Sequence, residues 1–521
     1  MDEAQRRRVV ASVLLATFLA AIDITIIETA MPRIVGALGG FSMLTWLVTA
    51  YMLTSTATIP IYGKLADLIG RKRTFIIGAI IFVVGSALCG MAGSMFQLIM
   101  FRALQGLGAG AILPVVQTIL GDIFSPAERA RFQGLFSSVF GLSAMMGPLL
   151  GGIIVDYFTW RWLFYINLPL GIVSIYTIQR NLHEKIERRQ AQVDYLGAIL
   201  LTVAISALLL ALLTGGVHYP WGSPVIIGML VASVVLFIWF IGHEQRHPDP
   251  MMPLHIFRVP TIGVANLVTF VVGGVMFGTS VYLPIWAQGV QGYSATRSGL
   301  SLLWLSIGWP LASAFGGRFI IKVGTRPAAM LGLALNAVAS AGLVYLSHNF
   351  AEIPQIGFAV VTFVIGAGMG FNTLAFILSV QSATTWEYRG VATASLQFVR
   401  TLGGMVWVAV MGAALNLTLL SRLRSIPELG VSTVAEAGQL ANNLLDPRMR
   451  AAIGENLVGL AQGALADGLR VVHWVVLLAA VLSLALTFLL PNQDFRGEGA
   501  PQEAEAGEGG PPPGEAQPEK A

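Results

Sequence analysis

The sequence has few charged residues and a single cysteine. Charged residues make up 11% of its 521 positions, whereas soluble globular proteins average about 25%. This shortage excludes an ordinary cytosolic enzyme, whose surface needs far more charge. The one cysteine, Cys89, lies inside an apolar run, which excludes a disulfide framework and a zinc site built from cysteines.

Hydrophobic residues take the place of the missing charge. They form 55% of the chain, and the mean hydropathy is +0.74, so the chain is too apolar to remain disordered in water. The net charge of +4 does not indicate a nucleic-acid partner, because the basic residues occur in short clusters between apolar runs. The composition predicts an integral membrane protein whose surroundings are a lipid bilayer.

A helix needs roughly 20 mostly apolar residues to cross a bilayer, and fourteen segments meet that requirement. The first follows the arginines at 6–8 and continues to about residue 34 without a small-residue cleavage site. We therefore predict a retained span there and not a secretory signal. The predicted spans are 9–34, 42–63, 74–93, 96–120, 129–155, 162–180, 195–215, 223–242, 260–288, 296–321, 326–347, 354–380, 388–416 and 469–491.

Basic residues in the short loops set the predicted orientation, because such residues accumulate on the cytoplasmic side of membrane proteins. One set of loops holds many of them, beginning with residues 6–8 and 64–73. The opposite short loops hold only Arg33, Arg161 and Arg297. We expect both termini in the cytoplasm and a multi-pass protein of the cell membrane.

Two segments differ from the membrane spans. Residues 417–468 are polar; Thr433 and Glu436 have the spacing of a helix capping box, and Asp446-Pro447 is typical of a helix start. We expect two short amphipathic helices there, at the outer surface. Residues 494–521 are rich in Gly, Pro and Glu, which predicts a disordered tail.

An internal repeat divides the remaining chain into two copies, and parallel repeats of this kind build many transporters. Gly63 and Gly70 lie between spans 2 and 3, and Gly317 and Gly324 have the same spacing between spans 10 and 11. Spans 5 and 13 also open on similar pairs, Glu128-Arg129 and Glu387-Tyr388-Arg389. The predicted organisation is a six-helix bundle at 1–180, two inserted helices with linkers at 181–259, a second six-helix bundle at 260–491 with the external insert 417–468, and the tail at 492–521.

The loop between spans 2 and 3 carries a motif that a simple topology signal does not need. Gly63 and Gly70 permit a tight turn and a close approach of helices. Asp67 is placed to accept hydrogen bonds from a helix N-terminus in the other copy, and Arg71 is placed to pair with Asp122 at the end of span 4. A basic anchor alone explains the arginine but neither Asp67 nor the paired glycines.

Three charged residues stand out within predicted spans 1 and 4, namely Asp23, Glu28 and Arg102. Asp23 is about fourteen residues from the start of span 1, near the middle of the bilayer, where a carboxylate is expensive. Arg102 in span 4 needs a partner or water for the same reason, and together the two suit a group that binds and releases a proton. Glu28, a second acid in span 1, lies nearer the outer end; it is a further candidate for proton coupling, and a merely interfacial position explains it equally well. The glycines at 106, 108 and 110 permit close packing of span 4.

Span 5 contains a motif of small residues and proline. A proline frees a backbone carbonyl and bends the helix, while small residues let another helix approach. Tight packing without a functional role explains the motif equally well. The residues are Gly147, Pro148, Gly151 and Gly152.

Together these motifs, in this order, resemble the major facilitator superfamily, and within it the fourteen-helix drug:proton antiporter family. The segment 160–171, Trp-Arg-Trp-Leu-Phe-Tyr-Ile-Asn-Leu-Pro-Leu-Gly, is the most specific match, and the likeness covers roughly residues 9–490. The resemblance implies a protonatable Asp23 with Arg102 as its coupling partner, and a helix bend at Gly147-Pro148. It also implies a cytoplasmic gate formed by Gly63, Asp67, Gly70, Arg71 and Asp122.

One further pattern matches a different function. His243-Glu-Gln-Arg-His247 has the spacing of a zinc-protease helix, which requires both histidines on one continuous helical face. Pro248 and Pro250 follow directly, so the helix ends where ligand geometry would have to hold. No third ligand stands out from the sequence, although His255 is near. We interpret the segment as a solvated linker.

The resemblance and the repeat predict a proton-coupled exporter of amphipathic cationic or neutral compounds that works by alternating access. An exporter of lipids or glycolipids is the alternative, and no enzyme, metal or cofactor other than the proton is expected. We expect a functional monomer. Candidate residues of a substrate cavity are Gln105, Gln117, Asn266, Asn372, Gln397 and Arg400.

Overall fold

The structure is a computed structural model. It describes residues 3–493 except 39–43, 125, 183, 185–193, 216–218, 249, 251, 294, 350–353, 427–430, 432 and 446–454. No strand occurs within these described residues. The helices are α1 (Glu3–Leu38), α2 (Leu44–Ile69), α3 (Arg71–Met91), α4 (Met95–Ile123), α5 (Pro126–Tyr157), α6 (Trp162–Tyr165), α7 (Asn167–Asn181), α8 (Tyr195–Thr214), α9 (Pro224–Glu244), α10 (Pro260–Ile285), α11 (Ala295–Val323), α12 (Thr325–Asn349), α13 (Gln355–Ser382), α14 (Arg389–Arg424), α15 (Val434–Leu445) and α16 (Glu455–Thr487).

Every predicted span overlaps a helix, which confirms the all-α fold class. Span 6 consists of α6 and α7, separated only by Ile166, and α10 is extended by a π-helical turn at Trp286–Val290. Among the described residues, ten segments are long and apolar enough to cross a membrane. The exact number of fourteen spans stays a prediction.

The helices on both sides of the polar insert extend further into it than its composition indicates. α14 continues to Arg424 and α16 already begins at Glu455. Between them, α15 begins with the predicted capping box: Thr433 N–H donates to Glu436 Oε2 (3.0 Å), and Glu436 N–H donates to Thr433 Oγ1 (3.2 Å). This confirms the first of the two amphipathic helices. The second, at 446–447, and the tail at 494–521 lie outside the described residues.

The glycines of the repeat adopt the same unusual backbone conformation. Gly70 has φ +93° and Gly324 has φ +89°, values that side chains rarely permit. Each residue directly precedes a helix, α3 in the first half and α12 in the second. The two loops are therefore structural equivalents, as the repeat predicts.

The helices that follow these glycines are also capped in the same way, by the segment after the last helix of their own half. Glu184, just after α7, accepts from the backbone N–H of Arg71 (3.0 Å) and of Lys72 (3.2 Å). Asn492, just after α16, accepts from the N–H of Arg326 (3.1 Å). Each cap satisfies amide groups that a helix N-terminus leaves unpaired. The first cap is a carboxylate and the second a neutral amide, so the two halves differ in charge here.

The first half, α1–α7, contains two separate hydrophobic clusters, and Asp23 lies at the border between them. Leu19 and Ala20 belong to one cluster, whereas Ile22 and Ile26 belong to the other. One large cluster fills the second half, α10–α16. A buried carboxylate between two apolar clusters needs polar partners from neighbouring helices, and these define the candidate site.

The inserted helices α8 and α9 pack against each other beside the two halves. α8 also packs against α2 and α14, so it touches both copies of the repeat. The outer surface of α9 is apolar and exposed, for example at Val234 and Ile238. Such a surface is suited to lipid.

Candidate functional site

Asp23 of α1 is fully buried among polar side chains of other helices. Its Oδ2 lies 2.9 Å from Arg102 Nη1 of α4. Its Oδ1 accepts from the side-chain amides of Gln105 (2.9 Å) and Asn167 (2.6 Å). Asp23 is 0% exposed and Arg102 2%. We call these four residues, with Ser86, the α1–α4 polar cluster.

The other members of this cluster hold the donors in place. Ser86 of α3 accepts from Gln105 (3.2 Å) and from Asn167 (3.1 Å), and donates to the carbonyl of Phe164 (2.9 Å). Gln105 Oε1 in turn accepts from Arg102 Nη1 (2.7 Å). Each amide therefore has a defined orientation, with its NH₂ group directed at the carboxylate.

The Arg102 guanidinium also packs on the face of Tyr51, 4.0 Å from the ring centroid. A cation over an aromatic face is stabilised by the ring quadrupole, more strongly where water is excluded. Buried ion pairs are sensitive to the loss of one partner, since the remaining charge is left uncompensated, at a cost of about 3–5 kcal/mol. Protonation of Asp23 removes one of the two charges. Each charge of the pair therefore depends on the other.

The glycines that follow Arg102 fix α4 between two other helices. A Cβ on Gly106 would lie 2.5 Å from the carbonyl oxygen of Tyr51 in α2. A Cβ on Gly108 would lie 2.3 Å from the backbone nitrogen of Phe82 in α3. These distances leave no room for a side chain. The three helices α2, α3 and α4 are thus packed backbone to backbone.

A second polar cluster joins the two halves of the molecule. Asp67, at the end of α2, accepts from the backbone N–H of Gly390 (3.0 Å) and of Val391 (2.8 Å), in the first turn of α14. A carboxylate at a helix N-terminus is stabilised by the unpaired N–H groups and by the helix dipole. The helix N-terminus that the sequence left unspecified is therefore that of α14.

Arg71 lies at the centre of this cluster and is 1% exposed. It pairs with Asp67 (3.0 Å) and Asp122 (2.8 Å), and its Nη2 donates to the carbonyl of Trp386 in the second half (3.0 Å). The guanidinium also stacks over the Trp386 ring, 4.0 Å from its centroid. The sequence predicted Asp67 and Asp122 as neighbours but not Trp386.

Further contacts cross between the halves at the same side. Arg389 Nη1 lies 2.8 Å from Asp122 Oδ1, and Gln381 Nε2 donates to the carbonyl of Gln117 (3.3 Å). The sequence analysis noted Arg389 only as part of the repeat; its position opposite Asp122 depends on the docking of the halves. We call the set Asp67, Arg71, Asp122, Trp386, Arg389, Gly390 and Val391 the gate cluster.

Gly63 permits the close approach that the gate cluster requires. A Cβ added to it would lie 2.5 Å from Ala394 Cβ of α14 and 3.3 Å from the carbonyl oxygen of Gly390. Gly63 thus provides the space for close packing, and Asp67 and Arg71 provide the charges. Gly70 contributes the positive φ that lets α3 begin at Arg71.

The span 5 motif lies within one continuous helix, α5, which packs along α1 and α11. Gly147 and Gly151 are buried there, in agreement with a role in close packing. The surroundings of Pro148 and Gly152, and the side chain of Glu28 in α1, lie outside the described residues. Their predicted roles stay predictions.

The candidate cavity residues do not form one group. Gln105 belongs to the α1–α4 polar cluster. Asn266 is buried and donates to the Ile262 carbonyl of its own helix (2.9 Å), and Asn372 is buried with its amide 3.9 Å from the sulfur of Met369. The remaining three are partly buried: Gln117, Gln397 and Arg400.

The structure consists of two helical bundles that repeat one another. One bundle contains a buried ion pair, and hydrogen bonds join the two bundles. This combination is that of a membrane transport protein. The profile of the Major Facilitator Superfamily matches residues 13–408, and the chain belongs to this superfamily. The predicted resemblance is confirmed at that level.

Two bacterial relatives match nearly the whole chain. Multidrug transporter protein MdtP of Bacillus subtilis (strain 168) is 36% identical over 508 residues, which cover 94% of this chain and 93% of the relative. Multidrug resistance protein 3 of the same organism is 36% identical over 493 residues, with 94% and 95% covered.

The fold is also similar to solved structures of this superfamily. The structure of the proton:xylose symporter XylE aligns with a TM-score of 0.60 and covers 95% of this chain and 98% of that one, at 11% identity. At such low identity the likeness supports the fold alone.

Proposed function

We propose that the chain exports amphipathic cationic or neutral compounds from the cell in exchange for protons, by alternating access of the two bundles. The similarity to relatives named as multidrug transporters supports export of this substrate class. The many exposed apolar side chains support a location in the cell membrane.

One observation supports proton coupling above all others: the buried contact of Asp23 with Arg102, at 2.9 Å. In this state the carboxylate contacts a guanidinium and two amides, so its negative charge is compensated by neighbouring donors. Protonation of the carboxylate would remove this charge and leave that of Arg102 uncompensated in the protein interior, which is costly. A group whose proton affinity differs between two states can couple proton flow to the transition.

The gate cluster supports the assignment of this state within the transport cycle. With both termini in the cytoplasm, as the basic loops predict, the contacts of α2 and α4 with α14 close the cytoplasmic side. Asp23 is 0% exposed here, so the mechanism requires another state in which water reaches it. Proton uptake and release then occur in different conformations, which is a requirement of coupled transport.

Export of a lipid or glycolipid remains the competing function. It differs in where the substrate enters, because a lipid moves laterally from the bilayer. The two functions are separated by the substrates that purified protein transports.

The decisive experiment uses the full-length protein in proteoliposomes with an imposed pH gradient and a panel of cationic dyes, neutral compounds and fluorescent lipids. We expect gradient-driven transport of the cationic or neutral compounds. Asp23→Asn should reduce this transport at least about tenfold while retaining substrate binding. The matched control is Asp467→Asn, which makes the same chemical change at a carboxylate that is 30% exposed and pairs with Arg470.

Asp23→Asn leaves the Arg102 charge unpaired in the protein interior, so the variant is at risk of unfolding. The double variant Asp23→Asn/Arg102→Gln removes both charges and avoids this cost. It should fold, bind substrate and be insensitive to the pH gradient. Gradient-driven transport at the wild-type rate in the double variant would contradict proton coupling through Asp23, and transport of lipids alone would replace the drug substrate.

A further inference from the structure

The His243-Glu-Gln-Arg-His247 segment has a third potential metal ligand that the sequence does not reveal. His243 lies in the last turn of α9, which ends at Glu244, and His247 follows just beyond the helix. Asp194 is the N-cap of α8, which packs against α9. His243 Nε2 lies 2.8 Å from Asp194 Oδ1.

We propose that Asp194, His243 and His247 bind one divalent transition-metal ion of the zinc class, with water as a fourth ligand. One ligand atom from each residue lies within 4.8 Å of the other two. In a tetrahedral zinc site with nitrogen and oxygen ligands at about 2.0–2.2 Å, the ligand atoms are about 3.4 Å apart. Small side-chain rotations therefore suffice to surround an ion, with no movement of the helices.

A second observation favours a cation at this position. Asp194 is only 3% exposed, and its Oδ2 has no hydrogen-bond partner among the described residues. The other oxygen, Oδ1, accepts from the N–H of Gly197 (2.8 Å). One oxygen of this buried carboxylate is thus without a donor among the described residues, which is costly unless a cation binds there.

A second carboxylate adds to the negative potential. Both Glu244 Oε1 and Asp194 Oδ2 lie within 3 Å of the position that a Cβ on Gly197 would take, so the two acids converge on one point of α8. Glu244 is also 3% exposed. Two buried carboxylates beside two imidazoles form a donor set suited to zinc and similar ions.

The geometry differs from that of a zinc protease in the role of its glutamate. In a protease the Glu activates the metal-bound water. Here Glu244 Oε2 accepts from the backbone N–H of Met252 (3.0 Å), which fixes the linker that follows α9. His255, which the sequence suggested as a nearby histidine, packs against the Tyr388 ring instead. The site would therefore fasten the start of α8 to the end of α9 and not perform hydrolysis.

The test measures zinc binding to the full-length protein, purified without a polyhistidine tag, stripped with a chelator and dialysed. Zn²⁺ is titrated by calorimetry, and Co²⁺ reports tetrahedral geometry through its visible absorption. We expect one Zn²⁺ per chain and a zinc-dependent rise in the unfolding temperature. His247→Ala should weaken zinc binding by more than about a hundredfold, since even the loss of an outer-shell partner costs about 10- to 100-fold.

Two further variants make the result specific to this cluster. Asp194→Asn keeps a good N-cap for α8 but removes the charge, and should weaken zinc binding. His255→Ala removes a nearby histidine outside the cluster and should bind zinc as the wild type does. Absence of zinc binding in the wild type, or equal affinity in His247→Ala, would overturn the proposal. Neither outcome depends on whether the protein transports drugs.

Discussion

Replacing Asp67 by asparagine should open the gate cluster. The wild-type carboxylate accepts two backbone N–H groups of α14 and pairs with Arg71, and its side chain is only 6% exposed. Asparagine keeps one oxygen but places an NH₂ group against a second N–H donor. It also removes the charge that faces both Arg71 and the N-terminus of α14.

The expected loss of free energy in the closed state follows from these contacts. A hydrogen bond to a charged group contributes about 1.5–3 kcal/mol, and a carboxylate at a helix N-terminus adds about 0.3–1 kcal/mol. The closed state should thus lose about 2–4 kcal/mol relative to a state in which α2 and α14 are apart. At 1.4 kcal/mol per factor of ten, the ratio of closed to open molecules falls about 30- to 700-fold.

Spin labels on the two halves measure this ratio directly. Arg73 of α3 and Lys322 of α11 are exposed. They lie close to Gly70 and Gly324, the equivalent glycines of the repeat. Cysteines at these positions can be labelled selectively, because the native Cys89 is buried at 0% exposure. Pulsed electron-resonance distances in nanodiscs should shift to longer values in Asp67→Asn.

Asp467→Asn is the matched control for this measurement. Asp467 forms exposed ion pairs with Arg422 and Arg470, and such pairs contribute about 0–1 kcal/mol. The distance distribution in Asp467→Asn should equal that of the labelled protein without this substitution. If Asp67→Asn also leaves the distribution unchanged, the hydrogen bonds to α14 do not hold the gate closed, and the energetic reasoning is wrong.

Two further predictions concern glycines and a helix cap. Gly63→Ala should lengthen the same spin-label distances, since the new Cβ would lie 2.5 Å from Ala394 Cβ, whereas Gly228→Ala, with nothing within 4 Å, should not. An unchanged distance in Gly63→Ala would show that α2 and α14 can adjust to the extra methyl group. Thr433→Ala should cost α15 about 1 kcal/mol and speed its amide hydrogen exchange. Gly438→Ala, whose new Cβ meets open space, should slow that exchange by a similar factor; equal exchange in both would refute the capping argument.

The spans could be predicted because each is an apolar run of the required length, and the repeat because its glycines need a positive φ. Asp23 and Arg102 were recognisable as charges inside such runs. Asn167 was not, although it makes the shortest bond to Asp23. An amide in an apolar motif gives no signal of its direction, which depends on how α7 packs against α1 and α3.

The residues of the gate cluster were also only partly predictable from the sequence. Asp67 and Arg71 belong to a contiguous motif, and a carboxylate next to a tight turn is a recognisable helix cap. Trp386 is 315 residues from its partner Arg71, and Arg389 is 267 residues from its partner Asp122. No local pattern specifies how two bundles dock. For the same reason Asp194 was missed as a partner of His243, since the two meet only when α8 and α9 pack.

α4 connects the two polar clusters. Arg102 lies near its start and Asp122 near its end, so the cluster around Asp23 and the gate are about 30 Å apart at 1.5 Å per residue. Gly106 and Gly108 pack α4 against the backbones of α2 and α3, and tightly packed interiors transmit displacement instead of absorbing it. A displacement of Arg102 should therefore act on the whole layer of three helices. That layer also carries the first-half residues of the gate cluster. Under the proposed proton coupling, a change at Asp23 would then reach the distant contacts with α14 without any chain of local rearrangements.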